Sequence, residues 1–415
     1  MAHVYPAGAD SPTARGCVSV RGVIVDELRV IGSPQTGKVM HAELIRVATR
    51  ALGRRPPEPR KEGTGQLVYP FDPELAQVAV AYLRTATRVV HDLYRSTARR
   101  LEPLYDELVR DGAADQRPWI KHARTLSVAV RRVGEFPAGE RQVIGTVKNA
   151  IVDAQRARGH HLAIEPERPD LPFVVRLDDA GDVVVSLDLG GASLSQRGWR
   201  RDHGEAPMRE HLAAVLLMLA RFDPRQDALV DPMCGSGTIP IEAVLAARAT
   251  PRPLLPVARK LADRPCDAPL FADAAPLVAG ADADLAVLVA AKANAQAAGV
   301  AADVTWERAD VQRLAPGGLR AGIDEAAARR GRKVERGLIL SNPPYGERLG
   351  DGHDDPALMD LYANLGARCR ALGAGWRAGF LVANLDFERA FGPPPRIKKP
   401  LANGNLRSYF YLYEF

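Results

Sequence analysis

Residues Leu229 to Glu242 read LVDPMCGSGTIPIE, and this stretch decides the fold. A short apolar run ends in Asp231, Gly235 and Gly237 mark a turn, and an apolar helical pattern starts at once. That order predicts the first strand, loop and helix of an open α/β sheet. Glycines let backbone approach a ligand, and Cys234, Gly235, Ser236 and Gly237 form the ligand-facing turn. The N–H groups at the start of the helix and the Asp231 carboxylate offer opposite polarities to a zwitterion. Pro240 stands where the third glycine of GxGxxG would be, and no GK[ST] follows. A ligand without a pyrophosphate is therefore expected.

About a hundred residues on, Gly337 to Gly350 read GLILSNPPYGERLG. Leu338 to Leu340 predict a buried strand, with Asn342-Pro343-Pro344-Tyr345 at its exit. Open α/β sheets bind ligands outside the carboxyl ends of their strands, which puts Asp231 and Asn342 on one rim. Between these two, Leu277 to Ala281 predict the second strand, ending at Asp282, whose carboxylate can accept from both hydroxyls of a ribose. Asp284 reads as the cap of the next helix. The third strand, Val304 to Arg308, leads to Asp310, and Trp376 to Val382 is the fifth. Arg396 to Ala402 and Leu406 to Phe415 bracket Asn403-Gly404, a hairpin signal.

DPMCGSGTIPIEA with NPPYGERLG resembles the class I S-adenosylmethionine-dependent methyltransferases that act on exocyclic amino nitrogens. It is closer still to the bacterial RNA guanine-N2 methyltransferases that carry an N-terminal THUMP domain. The resemblance implies a Rossmann-like, seven-stranded sheet with a terminal antiparallel hairpin, preceded by an α+β, ferredoxin-like and THUMP region. It implies S-adenosylmethionine as cofactor, leaving as S-adenosylhomocysteine, with Asp282 at the ribose, Asp310 at the adenine amino group and Asn342 also facing the cofactor. Asn342 and the Pro343 carbonyl would accept the amine hydrogens, and Tyr345 would offer a ring face to the base. The expected substrate is structured RNA, with 23S ribosomal RNA preferred and tRNA the alternative. An adenine-N6 DNA methyltransferase and a glutamine-N5 protein methyltransferase share the NPPY motif, but the basic front half disfavours both. A non-catalytic RNA-binding protein has no reason to keep Asp231, Asp282 and Asn342 at strand ends.

With 415 residues the chain is long enough for at least two cores, and 56 basic against 50 acidic residues give a net charge of +6, which favours a polyanionic partner. The four cysteines are scattered, so neither a disulfide framework nor a metal site is expected. No run is long enough to span a membrane and no signal peptide opens the chain, so the cytoplasm is the expected location. Phe415 directly follows the hairpin, and no second catalytic domain is expected.

Residues 1–16 read as a flexible lead-in and 17–95 as a ferredoxin-like α+β unit, with strands at Cys17–Val20, Gln66–Tyr69 and Thr87–Leu93. Residues 96–190 resemble THUMP: an amphipathic helix from Arg99 to Asp111, the strand TLSVAVRRVG, the basic helix ERQVIGTVKNAIVDA, and a hairpin around Ala180-Gly181-Asp182. Arg131, Arg132, Arg141 and Lys148 are the candidates for RNA phosphates there, against a plain solvated face. Residues 191–207 are the linker, where Arg197 and Arg200 either touch RNA or fix the chain. The catalytic unit takes 208–415, and a cut near Met208 is expected to retain the cofactor site. Proline- and alanine-rich Pro251 to Pro276 reads as a surface crossing between its first helix and second strand.

Overall fold

The computed structural model describes residues 22–112, 122–131, 136–178, 181–191, 193–201, 208–344, 355–404 and 406–415. Its front half runs β1 (Val23–Ile31), α1 (Gly37–Leu52), β2 (Arg60–Glu62), β3 (Gln66–Pro70), α2 (Pro73–Tyr82), β4 (Arg88–Ser96) and α3 (Leu101–Glu107). It continues with β5 (Thr125–Arg131), α4 (Glu140–Arg156), β6 (Ala163–Ile164), β7 (Leu171–Leu177) and β8 (Val183–Asp188). The strand expected at Cys17–Val20 lies outside the described residues. Asp72 caps α2 by accepting from the Leu75 amide at 3.0 Å, and Pro73 fits the first turn, where no N–H is needed.

All eight strands join one sheet in the order β2-β3-β1-β4-β8-β7-β5-β6. Strands β4 and β8 pair antiparallel from Val90↔Asp188 to Ser96↔Val183. The expected division at 95–96 therefore falls in the middle of a continuous sheet. A buried polar set crosses this junction: Asp92 accepts from Arg29 Nε at 2.7 Å, from Arg176 at 2.9 Å and from Ser186 Oγ at 2.6 Å. Burial pushes the Asp92 carboxyl up, but Arg176 and Arg29 outweigh it and hold the group below its ordinary range. A buried carboxylate left without such donors would be strongly destabilising.

The rear half contains α5 (Glu210–Leu219), β9 (Asp227–Asp231), α6 (Thr238–Arg248), α7 (Pro256–Arg259), β10 (Leu277–Asp282), α8 (Leu285–Ala297) and β11 (Val304–Arg308). It ends with α9 (Ala321–Arg329), β12 (Arg336–Ser341), α10 (Pro356–Arg370), β13 (Trp376–Val382), α11 (Phe387–Phe391), β14 (Ile397–Asn403) and β15 (Leu406–Glu414). The sheet order is β11-β10-β9-β12-β13-β15-β14, with β15 antiparallel to both β13 and β14. Strands β9 and β12 are buried on both faces, and alternation sends Leu229 and Leu338 to one core and Val230 and Ile339 to the other. The order reverses between β9 and β12, which makes their carboxyl ends the switch point where open sheets bind ligands.

Pro251–Pro276 is not a surface crossing. Val257, Ala258, Leu261 and Cys266 are buried in the core of the front half. Gln77 Nε2 reaches the carbonyls of Ala262 at 3.0 Å and Arg259 at 3.2 Å, and Tyr82 OH donates to the Ala268 carbonyl at 3.0 Å. Proline and alanine here make a strap that carries its few apolar side chains into a neighbouring core.

The two halves are also joined by buried charge. Arg84, just after α2, donates to both Glu242 oxygens on α6, at 2.8 and 3.0 Å. Arg197 adds a contact to Glu242 at 3.4 Å, and Glu43 on α1 accepts from the Arg84 and Thr85 amides at 3.0 and 2.9 Å. Burial pushes Glu242 up, yet Arg84 and Arg197 bring it to about 2. A cut near Met208 would remove both arginines and with them the partners that hold this carboxylate.

Candidate active site

Strand β9 delivers Asp231 to the rim. Its carboxylate is 2 % exposed and accepts from Ser341 Oγ at 2.6 Å and from the Met233 amide at 3.2 Å. Burial raises it to about 7, against the Ser341 and Met233 hydrogen bonds and with help from nearby Asp282. The turn that follows is pinned to the next strand: the Cys234 amide donates to the Ala281 carbonyl at 2.9 Å and the Gly235 amide to Asp282 Oδ2 at 2.9 Å. Asp282 Oδ1 accepts the Asp284 amide at 3.1 Å, and Asp284 caps α8 as expected.

Both glycines of the turn have positive φ, for different reasons. A Cβ on Gly237 would stand 2.8 Å from the Trp306 ring and 3.1 Å from Ala291 Cβ, so Gly237 packs the turn onto β11 and α8. A Cβ on Gly235 would meet nothing within 4 Å, so that position faces open space above the rim. Cys234 is buried beneath the turn, and burial, with Asp231 and Asp282 nearby, pushes its thiol well up. It shapes the turn as a neutral thiol. Ser236 is 7 % exposed and receives Arg200 on its hydroxyl at 3.2 Å.

Asp310 lies two residues beyond Arg308, which is level with Asp282 across β10 and β11. Its Oδ1 accepts the Gln312 amide at 2.9 Å, and Oδ2 faces Arg313 at 3.4 Å. Its neighbour Ala309 joins Pro232, Ala281, Leu314 and Ile323 in lining a small, mostly apolar cleft.

On the other side of Asp231, β12 ends at Ser341 and hands over to Asn342, whose Oδ1 is buried and has no hydrogen-bond partner among the described residues. Such an acceptor costs about 1–3 kcal/mol when left unmade. The following turn is fixed from behind by Tyr362 OH, which donates to the Pro344 carbonyl at 2.7 Å. Pro343 is buried, and Tyr345 lies outside the described residues.

The structure brings together Asp231, the Cys234–Gly237 turn, Asp282, Asp310 and Asn342 along adjacent strand ends. It does not bring the two linker arginines to an RNA-facing surface. Arg197 is enclosed by Glu242, the Leu194 carbonyl and the Arg84 carbonyl, and Arg200 by Glu210, Ser236, Thr238 and the Met208 carbonyl. Their side chains are 3 % and 9 % exposed, so their charge is spent inside the protein and the RNA-binding assignment of both is corrected. Arg131 and Arg141 are exposed and Lys148 half-buried, with Arg141 and Lys148 two turns apart on one face of α4. Arg132 lies outside the described residues. Sequence reasoning missed Ser341, Trp306 and Asn294; of these, Ser341 carried a signal, standing at the strand end directly before Asn342. Among the described residues no helix is long and apolar enough to cross a membrane, and no cluster of metal-ligating side chains occurs.

A sheet of order three-two-one-four-five-seven-six with an antiparallel seventh strand, a glycine turn after its first strand and an asparagine at the exit of its fourth define a class I methyltransferase. The family described as RMKL-like, methyltransferase domain, matches residues 197–409, and the chain belongs to it. The ribosomal RNA large subunit methyltransferase K/L of Aeromonas hydrophila is 36 % identical over 296 residues, which is 64 % of this chain and 39 % of that protein. Its counterpart in Ectopseudomonas mendocina is 33 % identical over 383 residues, 88 % of this chain and 50 % of that protein. The chain thus spans half or less of the length of these relatives. Among solved structures, SMU.472, a putative methyltransferase complexed with SAH, superposes with a TM-score of 0.74 at 24 % identity, covering 94 % of this chain and 98 % of that one.

Proposed function

We propose that the protein transfers a methyl group from S-adenosylmethionine to the exocyclic N2 of a guanosine in structured RNA, with 23S ribosomal RNA as the substrate. The observation that carries this reading is Asn342 Oδ1, a buried acceptor without a partner among the described residues, on the same rim as Asp231 and Asp282. An amine hydrogen is what such an atom requires.

The residues present fit the cofactor. Asp282 has one N–H on each oxygen and retains acceptor capacity for two ribose hydroxyls. Open space over Gly235 admits the ligand chain, Asp231 suits an ammonium, and the first turn of α6 with Ser236 suits a carboxylate. Asp310, just past the end of the strand that pairs with β10, would accept from the adenine amino group. When bound, S-adenosylmethionine supplies a methyl group already activated on a sulfonium.

The protein's own task is then positioning. Asn342 Oδ1 and the Pro343 carbonyl accept the two hydrogens of the planar amine and turn its nitrogen lone pair toward the cofactor half of the rim. Tyr362 holds the Pro344 carbonyl and so keeps this turn in place. The amine proton leaves after transfer, so no dedicated base is required. The guanine must leave its stack to reach this rim.

The front half grips RNA away from the target, through phosphate contacts at Arg131, Arg141 and Lys148, and the protein works in the cytoplasm. Ribosomal RNA is favoured because the K/L relatives are ribosomal RNA large subunit methyltransferases. Mapping N2-methylguanosine in rRNA and tRNA from a deletion strain tests the reading. Loss of one such mark in 23S rRNA is expected; loss in tRNA alone would move the substrate, and no change in either would refute the function.

A further inference from the structure

The turn proposed to seat the cofactor is held from outside the catalytic sheet, by the linker. Arg200 uses its whole guanidinium for this: Nε donates to Glu210 Oε1 at 2.9 Å, one terminal nitrogen to Ser236 Oγ at 3.2 Å, and the other to Thr238 Oγ1 at 3.0 Å and the Met208 carbonyl at 3.1 Å. The Trp199 ring lies 5.0 Å from its central carbon. The next residue adds a second hold, because the Arg201 amide donates to Asn294 Oδ1 at 2.8 Å and Asn294 Nδ2 donates to the Ser236 carbonyl at 3.1 Å. Ser236 is thus gripped by its hydroxyl and by its carbonyl.

A cation beside a helix N-terminus opposes the helix dipole, and burial penalises it further. Glu210 offsets the charge, but stability alone does not account for an arginine at this place. Its effect on Ser236 does. A hydroxyl has one donor and two acceptor positions, so Ser236 Oγ, having accepted from Arg200, keeps its own proton to donate. That donor joins the N–H groups of Thr238 and Ile239, which have no acceptor within α6, and the guanidinium adds positive potential behind them. This is the polarity that a carboxylate needs, and it lies at the opposite end of the turn from Asp231.

We infer that Arg200 is a positioning residue for the carboxylate end of the cofactor, acting through Ser236 and Thr238, so that the linker completes the cofactor site. The inference rests on the cofactor reading proposed above. It explains why an arginine that neighbours an RNA-binding unit is turned inward.

The test is calorimetric titration of the full chain with S-adenosylhomocysteine and with 5′-methylthioadenosine, which keeps the nucleoside and sulfur but has no amino acid. Arg200→Lys cannot reproduce the forked contacts, and Ser236→Ala removes the hydroxyl. Each should weaken S-adenosylhomocysteine binding about tenfold, as expected for one charge-assisted hydrogen bond. Methylthioadenosine affinity should change by less than about twofold, and the double variant should lose much less than the product of the two single losses. Equal losses for both ligands, independent effects in the double variant, or unchanged S-adenosylhomocysteine affinity would overturn the assignment. If Arg200→Lys does not fold, Arg200→Gln, which keeps donors but not the fork or the charge, takes its place in the same two titrations and the same double variant. Failure of the parent itself to bind S-adenosylhomocysteine would remove the cofactor reading and the inference with it.

Discussion

Asp231 makes a prediction that depends on its environment rather than on its identity alone. Burial raises its carboxyl to about 7, only partly opposed by the donors Ser341 and Met233, and Asp282 adds to the rise. In the unfolded chain the group returns to about 3.9. Between those values the native protein holds a proton that the unfolded chain has lost, so the stability of the ligand-free protein falls as pH rises from about 4 to about 7 and then levels off. The proposed pairing with the ammonium of the cofactor requires the carboxylate, so binding below pH 7 should expel that proton. Affinity should therefore drop toward tenfold per unit below the raised value, about 50-fold between pH 7 and pH 5. Asp231→Asn keeps an acceptor for Ser341 but cannot ionise, so it should flatten both profiles, bind poorly throughout, and melt higher than the parent above pH 7. The assays are titration with S-adenosylhomocysteine from pH 5 to 8 in two buffers of different ionisation enthalpy, and thermal melts over the same range. Affinity that is flat across that range, with no proton release, would refute the reasoning.

Other residues carry shorter tests. Asp282→Ala should reduce S-adenosylhomocysteine affinity below detection while leaving the core intact, because it removes the proposed ribose acceptors and frees the Gly235 amide; unchanged affinity by calorimetry would remove Asp282 from the site. Arg84→Met leaves the fully buried Glu242 with only the longer Arg197 contact, and should cost about 3–5 kcal/mol in chemical denaturation. Adding Glu242→Met should recover much of that loss, and no recovery would mean that the pair is not what joins the halves. Replacing Arg131, Arg141 and Lys148 with Ala should weaken RNA binding and lower its salt slope by about 0.9 per lost duplex phosphate contact, with S-adenosylhomocysteine affinity untouched. A slope equal to the parent's in filter binding would mark them as a solvated face.

Much of the rear half was legible because its signals are local. The turn at Gly235 and Gly237, the Asn342-Pro343 exit and the Asn403-Gly404 hairpin each follow from conformations that few residues permit, and the structure has all three at strand ends. The linker was harder. Arg197 and Arg200 look the same in sequence whether they meet phosphate or carboxylate, and the carboxylate that decides for Arg197, Glu242, stands 45 residues away. The Pro251–Pro276 strap misled because proline and alanine suggest a solvent-exposed path, whereas Val257, Leu261 and Cys266 reach the front core only through tertiary packing. The join of β4 to β8 left no mark either, since the edge of a strand carries no residue pattern that names its partner.

The proposed function depends most on Asn342 acting on the amine rather than on the cofactor. Single-turnover methyl transfer to unmodified 23S rRNA at saturating S-adenosylmethionine, comparing the parent with Asn342→Ala, tests this directly. The expected result is a rate lower by about 100-fold or more, as for other hydrogen bonds made to a transition state, with S-adenosylhomocysteine affinity within about twofold of the parent. A rate near the parent's would contradict the account and reduce the asparagine at the end of β12 to a structural turn.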